Sequence, residues 1–322
     1  MSSKPRAMRD AFLERLYQEM VIDDKIFFVS ADFGSPVLDK IRADFPARFV
    51  NVGIAEQSLI NVSAGLALEG YKVFAYAIAP FITMRCFEQI RVSLALLSQV
   101  RPMNVNLIGV GAGYSYVVSG PTHQCYEDIT IMRALPTVDI WSPSDHLIAE
   151  SIFDYCTHKM GPKYLRLDAQ VLPVIYESGV PDLRNGFQVL REGGSMCLLA
   201  TGFMTHTALK AATELAKSGI DVGVIDLFAI SGFDEVALKK VLGGYAGLVS
   251  LEEGFRARGG VDSMLFDFLR RIGSNMQMCN IGVEPVYRFE LGSRADLHEQ
   301  VSIGIDAVVA KVRDFASASI AP

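Results

Sequence analysis

The sequence predicts an α/β protein built as two consecutive three-layer domains, each with a mostly parallel sheet between helices. Three observations carry this reading. Short runs rich in β-branched and aromatic residues alternate with helical patterns along the chain. The runs are apolar throughout, not at alternate positions, so the sheets are covered on both faces. The alternation lapses once, between Leu172 and Gly194, where Pro173, Gly179, Pro181, Asn185 and Gly186 cluster as an interdomain connection. The boundary falls near 180–190, giving domains over 1–185 and 186–322; 322 residues suit two domains of roughly 150.

Taken in order, the apolar runs place strands at 26–31, 49–52, 73–77, 103–109 and 164–167, then at 196–201, 222–226, 247–251 and 280–283. Helical spacing fills the intervals at 6–21, 55–70, 81–98, 145–157, 205–218, 234–242, 259–271 and 296–312. Hydrophobic residues make up 50% and charged residues 20%, which excludes a disordered chain. The net charge is −6 with no Lys/Arg-rich run, which argues against nucleic acid or an anionic membrane as the main partner. Five cysteines without CxxC spacing argue against a disulfide framework or zinc site and for a reducing cytoplasm. The polar start Met-Ser-Ser-Lys-Pro-Arg carries no signal-peptide core. Residues 102–125 lack formal charge, but Pro102, Asn104, Asn106, four glycines, Pro121, His123 and Gln124 make them too broken and polar for a membrane span. They read instead as the wall of a buried pocket.

Four motifs bear on chemistry. Gly109-Val-Gly111-Ala-Gly113 follows a strand as a dinucleotide loop would, but the extended-looking Tyr114–Val118 run follows where a helix is required, so the NAD reading is rejected. Glu56 opens an apolar helix directly after a strand. Its plain role is to complement the helix dipole. Placed among Val52, Ile54, Ala55 and Leu59 at a strand's carboxyl end, it is also a candidate for a carboxyl with a raised pKa. His123 projects from the Gly-Pro turn of Ser119-Gly-Pro-Thr-His-Gln and is of the residue type best suited to proton transfer, although a lone histidine is ordinarily structural. Phe81, Met84 and Phe87 share one α-helical stripe, which packs a core or offers a platform to a heteroaromatic ring.

In order and spacing, these pieces resemble the C-terminal half of transketolases. The resemblance runs through GIAEQ (Gly53–Gln57), APF (Ala79–Phe81), QIR (Gln89–Arg91), GPTHQ (Gly120–Gln124), EDI-x-IMRALP (Glu127–Pro136), SPSD (Ser142–Asp145), GPKYLRL (Gly161–Leu167), ATG (Ala200–Gly202) and LEE (Leu251–Glu253). It covers nearly the whole chain. It implies a thiamin-diphosphate enzyme with a pyrimidine-binding domain over 1–185 and a transketolase C-terminal-like domain beyond. By resemblance, Glu56 hydrogen-bonds the aminopyrimidine nitrogen N1′, Phe81 stacks on the pyrimidine, Phe87 is a second aromatic wall, and Asp32 is an acidic residue near cofactor and dimer interface. His123 resembles the histidine that binds donor oxygens and assists proton transfer.

Two departures bear on substrate. Ser119 stands where transketolases usually have Asp, and Ala169, preceded by Asp168, stands where a phosphate-binding Arg is usual. Losing that bidentate donor and gaining the nearby Asp168 carboxylate both disfavour a phosphorylated sugar. Glu252-Glu253-Gly254 also lacks the histidine common after Glu-Glu. No Gly-Asp-Gly occurs, so the Mg²⁺ or Ca²⁺ that holds the diphosphate is expected to bind through a separate N-terminal subunit. The expectation is the small subunit of a split enzyme that moves a two-carbon ketol unit between carbohydrates, a homodimer alone and a heterotetramer with its partner. The alternatives are a 1-deoxyxylulose-5-phosphate synthase-like or 2-oxo acid carboligase or dehydrogenase subunit, and a non-catalytic scaffold half.

Overall fold

The computed structural model describes residues 4–319. The chain divides into two compact units. The first comprises residues 1–112, 131–141 and 145–180; the second comprises 113–130, 142–144 and 181–322. The units are therefore interleaved: two pieces of the N-terminal half pack with the C-terminal one.

The first unit holds six strands: β1 (Ile26–Ser30), β2 (Phe49–Asn51), β3 (Lys72–Ile78), β4 (Asn104–Val110), β5 (Asp139–Trp141) and β6 (Gly161–Leu167). They form one parallel sheet in the order β2-β1-β3-β4-β6-β5. All seven residues of β4 are buried, as a central parallel strand requires. Phe12 of helix Met8–Ile22 packs edge-on against Phe153 of helix His146–His158 at 5.5 Å and against Phe74 of β3 at 6.0 Å. Asp145 caps the second of these helices, its Oδ1 accepting from the N–H groups of Leu147 and Ile148 at 3.0 Å.

The second unit holds β7 (Phe187–Arg191), β8 (Met196–Ala200), β9 (Val222–Leu227), β10 (Gly247–Phe255) and β11 (Gln277–Val283) in the order β11-β10-β8-β9-β7. Only β7 is antiparallel. Helix Phe203–Lys217 lays Met204, Ala208, Ala211, Ala212 and Leu215 into the core.

Both sheets, mostly parallel and flanked by helices, have the expected architecture. Besides the short β5 and helix Asp128–Arg133, which the spacing does not predict, four elements differ. The expected connection 172–194 contains β7, whose edge position needs only one covered ladder. Pro36–Asp44 is a helix, capped by Ser35 with Pro36 in its first turn. The expected helix 296–312 is two helices, Arg294–Gln300 and Ile305–Ser319, parted where Ser302 takes φ +57°. A capping box between Ser293 and Asp296 fixes where the first of them begins. The expected α-helix 81–98 is wound largely as π-helix, over Phe81–Arg85 and Ile90–Leu96. Its wider turn breaks the anticipated stripe: Phe81 and Phe87 are half-buried and Met84 is exposed.

Candidate active site

In the first unit the parallel sheet brings four of the predicted residues to one edge. Asp32 follows β1, Glu56 follows β2, Phe81 follows β3 and Asp168 follows β6. This is the carboxyl edge, where open α/β sheets take ligands. The run Gly109–Gly113 begins in the last two residues of β4 and continues past its carboxyl end. Gly109 is small because a Cβ there would come 2.7 Å from Tyr164 Cε2, a packing reason rather than a dinucleotide one.

Glu56 is buried at the start of helix Glu56–Leu68. The surroundings are less apolar than its sequence neighbours suggested. Arg85 donates from Nη1 to Glu56 Oε1 at 3.0 Å, and its guanidinium lies 3.8 Å from the centre of the Phe81 ring. Arg85 thereby ties the carboxylate to the aromatic face. Among the described residues, Glu56 Oε2 has no hydrogen-bond partner. Gln57 Nε2 donates to the Arg85 carbonyl at 3.3 Å and holds that turn in place. Burial, with Glu56 close by, pushes the Cys86 thiol up to about 12, so it stays protonated and unreactive. Arg85 was missed from sequence because the π-helical winding, which an α-helical stripe does not anticipate, decides what its side chain meets.

Asp32 is exposed and takes φ +54°, an αL conformation that Asp tolerates. Asn51 supports it, its Oδ1 accepting from the Asp32 N–H at 3.1 Å and its Nδ2 donating to Asp32 Oδ1 at 3.1 Å. The same Oδ1 accepts from the Gly53 N–H at 3.0 Å, so one side chain links the ends of β1 and β2 to the turn before Glu56. Asp168 is buried, and its Oδ1 accepts from the Gln170 N–H at 2.8 Å. Arg166, in β6, is also buried.

Ser119 and His123 belong to the second unit. Ser119 is exposed; His123 is half-buried, with Nδ1 2.9 Å from Thr122 Oγ1 and its ring edge-on to Tyr116 at 6.2 Å. Residues 111–122 form no helix, which agrees with the rejection of a dinucleotide loop. Among the described residues no cluster of three or more His, Cys, Asp or Glu could hold a metal ion, and no helix is long and apolar enough to cross a membrane. All five cysteines are free.

Residues 4–174 match the transketolase pyrimidine-binding domain family and residues 186–308 match the transketolase C-terminal domain family. The chain is 33% identical over 266 residues to an apulose-4-phosphate transketolase subunit of Actinobacillus succinogenes, covering 83% of this chain and 84% of that protein. It is 32% identical over 232 residues to the 6-deoxy-6-sulfo-D-fructose transketolase subunit SqwH of a Clostridium species, covering 72% and 71%. A split-gene transketolase, solved as an inactive β4 tetramer, superposes with a TM-score of 0.84 at 29% identity over 97% of this chain and 98% of that one. The chain belongs to the transketolase family and is the small subunit of a split, transketolase-like transferase, carrying the pyrimidine-binding and C-terminal domains of a thiamin-diphosphate-dependent family.

Proposed function

We propose that the carboxyl edge of the first sheet binds the aminopyrimidine of thiamin diphosphate, with Glu56 as its activating acid, in a complex whose other subunit supplies the diphosphate and metal site. The observation that carries this reading is a buried carboxylate with one oxygen held by Arg85 and the other unengaged, beside a half-buried phenylalanine face. That donor set fits a flat heteroaromatic ring with a basic nitrogen at its rim. When bound, the cofactor supplies carbanion chemistry that no side chain offers. Glu56 holds a proton at the ring nitrogen. Phe81 and Phe87 give the ring its apolar walls, and Asp32 lies near the cofactor at the end of β1. His123 binds donor oxygens and passes protons to them, with Ser119 and Asp168 facing the substrate. The metal, Mg²⁺ or Ca²⁺, is bound through the partner.

Domains over 1–185 and 186–322 divide this work, the first for the cofactor ring and the second as the transketolase C-terminal domain. Ala169 and Asp168 favour a donor or acceptor without a phosphate at the position that family members hold with Arg, and Ser119 marks an atypical acceptor. Ile54, Met84, Val92, Leu96 and Val100 are exposed apolar side chains of the first unit and support self-association as a homodimer. A heterotetramer forms with the partner. Five free cysteines support a cytoplasmic location.

The test is turnover by the chain copurified with its partner from the native host, assayed with non-phosphorylated and phosphorylated ketose donors and with pyruvate. Ketol transfer from a ketose, lost in Glu56→Ala, is the expected result. Full activity in Glu56→Ala removes the activating role, and turnover of pyruvate alone moves the chain to a carboligase or dehydrogenase.

A further inference from the structure

In the second unit the strand order reverses beside β8, so the carboxyl ends of β8 and β10 form the crevice where such sheets bind ligands. Here the chain's own segment 113–130 packs with that unit. Its neck is a two-residue antiparallel bridge: the Gly113 N–H donates to the Cys125 carbonyl, and the Cys125 N–H to the Gly113 carbonyl, each at 3.0 Å. The loop closed by this neck carries Ser119 and His123.

The neck stands on Glu253, near the end of β10. Gly113 has φ +53°, and a Cβ there would lie 2.2 Å from Glu253 Oε2, so no other residue fits without displacing the carboxylate. Glu253 is itself fixed. Arg294 donates from Nε to Oε1 at 2.9 Å and from Nη2 to Oε2, while His298 Nε2 bonds Oε1. All three residues are buried, and the guanidinium lies 3.7 Å from the centre of the Phe203 ring. Around this triad Tyr114 packs on Tyr126 at 4.8 Å and edge-on to His298 at 5.6 Å, and Tyr126 packs on Phe255 at 5.1 Å. Tyr126 then reaches back into the loop, its Oη donating to Oε1 of Gln124, the neighbour of His123.

We propose that Glu253, clamped by Arg294 and His298, is a positioning residue for His123: it seats the neck of the 113–125 loop so that the histidine is presented in one place. This rests on the reading of His123 as the substrate-facing histidine. A buried ion cluster of this kind is weak evidence for stability in itself, because desolvation offsets its attraction. A closed loop with half-exposed residues, in contrast, needs a fixed base to hold a side chain within the fraction of an ångström that proton transfer demands.

The experiment uses the full chain and its complex with the partner. Amide exchange and the His123 ring resonance are followed in Glu253→Gln and in Tyr126→Phe, which leaves the ion cluster intact. Exchange at Gly113 and Cys125 should quicken at least tenfold, and the His123 resonance should shift or broaden, while exchange in β8 and β9 stays as in the parent. In the complex, Tyr126→Phe should lower kcat several-fold with KM nearly unchanged, and its effect should vanish in a His123→Ala background. Folded variants with unchanged neck exchange and an unchanged His123 resonance overturn the proposal. If those signals respond but His123→Ala keeps full turnover, the positioning stands and the catalytic reading of His123 is what fails.

Discussion

Replacing Lys163 by Met should invert its effect on stability as pH rises, and the structure sets both sign and size. Lys163 is fully buried in β6; its Nζ donates to Asn104 Oδ1 at 2.9 Å and to the Gly161 carbonyl at 2.8 Å. Burial pushes the amine down to about 8, against the pull of Cys156 and Asp139, from the ordinary 10.5. For a base with a depressed folded-state pKa, the cost of burial is present in full below pH 8, where both folded and unfolded chains are charged. Stability rises between pH 8 and 10.5, where only the unfolded chain binds the proton, and is flat above. The interval of 2.5 units corresponds to about 3 kcal/mol. Methionine keeps the apolar stem and removes the charge, but it forfeits two hydrogen bonds, to the Gly161 carbonyl and to Asn104 Oδ1, which keeps only Asn106 Nδ2 at 3.0 Å, at about 1 kcal/mol each. Lys163→Met should therefore be more stable than the parent by about 1 kcal/mol at pH 7 and less stable by about 2 kcal/mol at pH 10.5, the curves crossing near pH 9. Urea unfolding of both proteins across that range reads this directly. A difference that does not change with pH would refute the reasoning.

Three further outcomes follow from the geometry. Glu252→Ala removes a buried carboxylate that accepts from the N–H groups of Val261 and Asp262 at 3.0 and 2.9 Å at the start of helix Val261–Arg271, and should cost about 2–4 kcal/mol in urea unfolding, with Glu252→Gln restoring part. Arg85→Met should weaken retention of thiamin diphosphate by the complex severalfold, measured by titration, and should cost about 1–3 kcal/mol in urea unfolding, because the buried Glu56 carboxylate loses its partner although Arg85 itself is 47% exposed. Gly193→Ala would place a Cβ 2.0 Å from the Gly223 nitrogen, and the forced backbone shift should destabilise by about 2 kcal/mol or more in the same unfolding assay.

The fold was legible where burial is two-sided. Strands such as β3 and β8 read as continuous apolar runs because both faces are covered. The edge strand β7, half-exposed along most of its length, gives no such run, and a Gly/Pro-rich approach disguised it as connection. The three-residue β5 is too short to register a period. At the candidate site, Glu56 was legible as the carboxyl that opens an apolar helix just past a strand, and Phe81 through its spacing from Phe87 and the Ala-Pro-Phe pattern. Arg85 and the Glu253–Arg294–His298 cluster were not, since the former depends on π-helical winding and the latter joins residues 41 and 45 positions apart. The LEE stretch drew notice only as a pattern. That its two glutamates do different work, one capping a helix and one carrying a loop, is a matter of packing.

The interleaving of the two units also has a consequence for synthesis. Tyr287 meets Glu127 across 160 positions, at 2.8 Å. At 5–20 residues per second, the loop bearing His123 waits roughly 8–30 s on the ribosome before the strands and helix that seat it exist. During that interval Tyr114 and Tyr126 lack His298 and Phe255, and the first unit must close around β4 and β6 with an unsettled excursion between them. A nascent chain stalled before Arg294 should hold a folded first sheet and a loop still open to protease.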